Sequence, residues 1–160
     1  MEEIIKNLDI YAKGIWCPIA WTVFLVLIVL IMPKEKMNWL QIYITYGVIG
    51  LITWISNSIF GVFFDLVDFG DASVTGLAEM LTYTFIPSSL AVIFMNMYSK
   101  EKKAVLTVLF LVVSLFIEWT CHVSGFMEYK KWSLLFSVPI YFVIYYFFLP
   151  FHYHLFRNVN

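Results

Sequence analysis

Five long apolar stretches, separated by connections too short to fold independently, constrain this chain more than any other feature. They cover approximately residues 15–32, 39–64, 77–98, 104–124 and 132–156. About 20 mostly apolar residues in a helix are needed to cross the hydrocarbon core of a bilayer. Inside that core the backbone must satisfy its own hydrogen bonds, so only helices and closed barrels span it. These runs are too long and continuous for barrel strands. The expected fold is therefore an all-α integral membrane bundle with five transmembrane helices, a single transmembrane domain over 1–160.

Composition supports that solvent. Apolar residues make up 62% of the chain and charged residues only 13%, against roughly 25% charged in soluble domains. With a net charge of −1 and no Lys/Arg run, nucleic acid is not an expected partner. Cys17 and Cys121 lie in apolar stretches without zinc-type spacing and read as buried thiols. The opening residues MEEIIKNLDIYAKG are mixed in charge and carry no signal-peptide pattern, so the first span is expected to stay attached.

Five spans put the termini on opposite sides. One side then holds Lys6, Lys13, Lys130 and Lys131, and the other Lys34, Lys36, Lys100, Lys102, Lys103 and Arg157. The positive-inside rule favours a plasma-membrane protein with the N-terminus outside and the C-terminus cytoplasmic.

Three spans carry stripes of small or polar residues at helical spacing. The second presents Tyr43, Gly47, Gly50, Trp54, Asn57 and Gly61, and its extension reaches Asp65 and Asp68. The fourth presents Thr107, Leu111, Ser114, Glu118, Cys121 and Gly125. The fifth presents Ser133, Ser137, Tyr141, Tyr145, Phe148 and His152. Small residues let helices approach closely in lipid. Gly47, Gly50, Gly61, Ser114 and Ser137 are accordingly expected to form packing seams, with helices two, four and five around one another.

The candidate polar site is Glu118, His122, Glu79 and Asn57, which the proposed topology gathers toward the outer half. An acid within a span is costly and therefore a functional suspect. Glu118 and His122, four residues apart, share a helical face. The pair could relay a proton, contribute to a metal site or simply hydrogen-bond. Two ligands do not make a metal centre, so Glu79 or an outer aspartate would have to complete one. Metal and cofactor remain open. Glu79 also suits the positive end of a helix. Asp65, Asp68 and Asp71, spaced like successive helical turns, form an acidic outer loop. His152 and His154 read as interfacial belt residues.

No zinc-peptidase helix, nucleophile elbow or Walker loop occurs, which argues against an enzyme. Glu118-Trp119, Gly125, Tyr129, Trp132-Ser133, Ser137, Pro139 and His152 together resemble an uncharacterised family of small multi-pass membrane proteins from Firmicutes. That resemblance implies about five spans in a plasma membrane and no known activity. The leading expectation is a non-catalytic component binding a partner membrane protein or a lipid, with a homo-oligomer as a further partner state. The alternative is a proton- or cation-coupled transporter, or a subunit of one, using the Glu–His pair. An intramembrane lipid-modifying enzyme comes third.

Overall fold

The computed structural model describes residues 7–71 and 74–157. Lys6, within the N-terminal segment used for the topology argument, lies outside the described residues. All five apolar runs are helical. α1 is Trp16–Ile31 and α2 is Trp39–Asn57, which continues as a π-helical turn over Ser58–Phe63. α3 is Leu77–Met97 and α4 is Lys103–Val123. The last rod begins as α5 (Leu134–Val143), passes through a second π-helical segment (Ile144–Phe148) and ends as α6 (Leu149–Arg157). Four of these rods are long and apolar enough to cross a membrane, and α1 is a shorter apolar helix. The chain is a small multi-pass membrane protein on that basis.

Local chemistry sets the helix ends. α1 stops before Pro33, where the preceding Met32 turns extended, as a residue before proline favours. The Lys34 ammonium then donates to the carbonyls of Val29, Leu30 and Met32, satisfying a helix end that has no further backbone donors. α2 starts with a capping box: Asn38 Oδ1 accepts from Gln41 N, and Gln41 Oε1 accepts from Asn38 N, both at 2.9 Å. Such reciprocal bonds fix the first turn.

The hub of the bundle is α3, and this corrects the expectation that helices two, four and five surround one another. α3 packs against α1, α2, α4 and α6. Ser88, Ser89, Ala91, Val92, Phe94 and Met95 are all buried along it. Its apolar and small residues occupy every side rather than one stripe, the pattern of a helix enclosed by others. α4 pairs with α5 and, through the second π segment, with the following turn. α1 meets α4 through Trp21 Nε1, which donates to Thr120 Oγ1 at 2.9 Å, and through Cys17 and Cys121, whose sulfurs are 3.7 Å apart. Both thiols are free and buried.

The connections sort onto two ends of the bundle. At one end β1 (Val67–Phe69) pairs antiparallel with β2 (Met127–Tyr129), in the register Val67 with Tyr129, Asp68 with Glu128 and Phe69 with Met127. The segment before α1 joins them: Asp9 Oδ2 accepts from Asp71 N at 2.8 Å. Gly14, at φ +70°, lies against the turn after α4. At the other end the 33–38 connection meets the end of α3. Asn96 Nδ2 donates to Pro33 O at 2.8 Å, and Lys36 N donates to Asn96 Oδ1 at 3.2 Å.

A candidate ligand cavity around a buried carboxylate

Glu118 faces the bundle interior from α4 and is only 7% exposed. Hydroxyl donors surround it. Oε1 accepts from Tyr129 Oη at 3.0 Å and from Ser137 Oγ at 2.7 Å. Oε2 accepts from Tyr141 Oη at 2.8 Å. Trp132 Nε1 donates in turn to Ser137 Oγ at 3.0 Å. Three elements thus converge on one carboxylate: β2 supplies Tyr129, α5 supplies Ser137 and Tyr141, and α4 supplies Glu118 itself. One turn deeper, Ser114 and Tyr145 hydroxyls meet at 2.7 Å.

His122 lies elsewhere in this arrangement. Its ring stacks on Tyr129, centroids 4.3 Å apart, and its Nδ1 is 3.0 Å from Met127 O. The imidazole therefore touches a residue that binds Glu118, while the carboxylate's own bonds go to hydroxyls. Sharing a helical face permits contact but does not enforce it. β2 folds back over the end of α4, and Tyr129 occupies the space between the two groups.

Glu79 belongs to a separate cluster. Its Oε1 accepts from Tyr83 Oη at 2.8 Å, and the Tyr83 ring packs edge-on against Trp54 and Phe69. Among the described residues no group of three His, Cys, Asp or Glu side chains is arranged to hold a metal ion.

Glu118 lines a cavity of about 540 Å³. One wall comes from α2 and its π turn, including Ile52, Ser56, Asn57, Phe60 and Gly61. The facing wall comes from the last rod, including Ser137, Tyr141, Val143 and Tyr145. α3 and α4 form the floor with Ile86, Leu90, Ser114 and Ile117, and Cys121 also reaches it. The mouth lies where Ile52, Phe60 and Val143 are simultaneously cavity-lining and exposed on the bundle surface. Both walls contain a π-helical segment, a distortion that recurs at functional sites. Pro139 and Pro150 bracket the second one.

The expected seam on α2 divides in the structure. Gly50 packs against Thr84 and Ser88, and Gly61 lies against Asn57. Gly47 is exposed, and a Cβ built there would meet nothing within 4 Å. The stripe at helical spacing begins at Tyr43, which is itself 77% exposed. Small residues on this helix therefore serve two surfaces, and only α3's position separates them. Ser114 and Ser137 are buried at the carboxylate cluster. His152 is buried too, its Nε2 3.4 Å from Thr45 Oγ1, so it bridges the last rod to α2 instead of standing in an interfacial belt.

The three aspartates do not lie on successive helical turns. Asp65, at φ +51°, follows the π turn, Asp68 is in β1, and Asp71 follows that strand. Lys130 Nζ binds Asp65 Oδ1 at 2.6 Å and Asp68 Oδ2 at 2.8 Å. The missed signal is the lysine pair in the 125–131 connection, which the five-span alternation already placed on the same side.

The Lys130 hydrogen bond holds the Asp65 carboxyl below the usual carboxylate range, and the same bond, with the one to Asp68, pushes Lys130 above its ordinary value. For Asp65 the folded value is depressed, so its contribution is present above the unfolded value and is lost as pH falls through the folded one. For Lys130 it is present below the unfolded value and lost as pH rises through the folded one. In Lys130→Met, Asp65 is expected to titrate at higher pH than in wild type, because the hydrogen bond that lowers it is gone, by carboxyl carbon NMR of the protein in detergent. An unchanged Asp65 titration would show that this ion pair does not form in solution.

No family model, curated protein or solved structure matches this chain.

Proposed function

We propose that this protein is a non-catalytic component of the plasma membrane that binds a lipid or lipid-like amphiphile in the cavity between α2 and the last rod. One observation carries the reading: an apolar cavity opens at the bundle surface beside exposed Ile52, Phe60 and Val143, with a polar cluster inside it at Glu118. Its volume lies within the ~300–1,000 Å³ of small-molecule sites. A tail leaving through the mouth would stay in lipid, while a head group would reach Glu118, Ser137 and Tyr141. In this reading α1, although short, also crosses the membrane, with the N-terminus outside and the C-terminus in the cytoplasm.

The test is native mass spectrometry of protein extracted gently from its own membrane. Wild type is expected to keep a lipid that Ile52→Trp, which narrows the mouth, loses. Equal retention by the two proteins, or a bare wild-type chain, would overturn the reading. A second reading, proton- or cation-coupled transport through Glu118 and His122, is favoured by the presence of Glu118 in the cavity wall. There the imidazole would act through Tyr129, on which it stacks.

A further inference from the structure

An ionised carboxylate offers about four acceptor positions, two on each oxygen. Tyr129 and Ser137 fill those of Oε1, and Tyr141 fills one on Oε2. One acceptor position on Oε2 is left over, on a side chain that lines the cavity. The carboxylate also lacks a counter-charge. Among the described residues the ion pairs join Lys130 to Asp65 and Asp68, and no Lys, Arg or His lines the cavity. Buried charges are ordinarily paired as well as hydrogen-bonded, because hydroxyl donors alone do not cancel the charge.

From this we infer that the cavity takes a lipophilic amine, an amphiphile whose protonated nitrogen binds Glu118 Oε2 and whose apolar body leaves between Ile52 and Val143. The inference rests on the cavity-binding reading above and specifies its ligand. The alternatives match less well. A phosphate or carboxylate head would bring a second negative charge to Glu118, with no Lys, Arg or His among the described residues lining the cavity to offset it. An alcohol would fill the open acceptor position and leave the charge unpaired. An ammonium group does both, and a charge-assisted bond is about twice as strong as a neutral one. The low-dielectric surroundings strengthen it further.

Three ligands with one tail and different heads separate the possibilities: hexadecylamine, hexadecanol and hexadecanoic acid. Each is added at equal mole fraction to the full chain in nanodiscs, and bound ligand is read by native mass spectrometry against empty nanodiscs. Wild type is expected to retain the amine about tenfold over the alcohol, a difference equivalent to a tenfold ratio of Kd, and the acid least. Glu118→Gln should lose the amine preference while still retaining the alcohol. Lys130→Met, which breaks an ion pair outside the cavity and keeps the carboxylate, should preserve the preference. Equal retention of amine and alcohol by wild type would overturn the amine assignment and leave lipid binding standing. So would an amine preference that survives in Glu118→Gln. Retention of none of the three would overturn the cavity reading itself. If Glu118→Gln fails to fold, the wild-type comparison of amine with alcohol still decides.

Discussion

Gly14→Ala is expected to destabilise the protein by about 3 kcal/mol, from left-handed backbone strain of about 1–2 and overpacking of about 1–3. Gly14 has φ +70°, a conformation that L side chains rarely adopt. An added Cβ would stand 2.5 Å from Ser124 O and 2.8 Å from Phe126 N, both backbone atoms, and 2.7 Å from Ser124 Oγ. The backbone of the turn after α4 cannot give way without disturbing Phe126, whose N–H bonds Cys121 O and whose carbonyl accepts from Gly70 N. Two other glycines calibrate the effect. Gly125 has φ +82°, but the three atoms nearest its Cβ would belong to the flexible Lys13 side chain, so Gly125→Ala should cost mainly the strain. Gly47 is helical with open space around it, and Gly47→Ala should be neutral or stabilising, since alanine gains up to about 1 kcal/mol over glycine in a helix. Thermal unfolding of the three variants in one detergent gives the order. If Gly14→Ala were as stable as Gly47→Ala, the chain before α1 would not pack on the α4–β2 turn.

The second large effect is at Glu118. Glu118→Ala removes three side-chain hydrogen bonds and leaves the hydroxyls of Tyr129, Ser137 and Tyr141 to find other partners. Bonds between helices in a membrane average about 0.6 kcal/mol, so the three together are worth about 2 kcal/mol. Glu118→Gln should cost less, because the amide keeps an acceptor oxygen and nearly the same shape. A double-mutant cycle with Tyr141→Phe isolates one bond. Strictly additive losses in that cycle would show that Tyr141 and Glu118 do not interact in the folded protein. The same variants bear on function in the opposite sense: Glu118→Gln is expected to cost less in folding than Glu118→Ala and to be decisive for the amine.

Much of this architecture was legible. The apolar runs are helices because their length and the scarcity of charge leave the backbone no other way to satisfy itself in lipid. Alternation of the short connections put 65–76 and 125–131 at one end, and there β1 and β2 pair. The stripe through Ser114, Glu118 and Cys121 faces inward, as does the one through Ser137, Tyr145 and His152. Other parts were not legible. The partners of Glu118 came from an α5 turn and from β2, not from the histidine four residues along its own helix. Helical periodicity ranks neighbours on one element and is silent about a strand that folds across its end.

The sequence alone therefore determined the solvent, the helical class and which residues on α4 and α5 turn away from lipid, since each follows from local composition and the 3.6-residue period. Only the tertiary structure decided that α3 is the hub, that α2 and the last rod stand apart to form a cavity, and that Glu118 meets the hydroxyls of Tyr129, Ser137 and Tyr141. Those outcomes depend on how whole helices divide a limited amount of packing surface among several neighbours, and no single helix carries that choice in its own pattern.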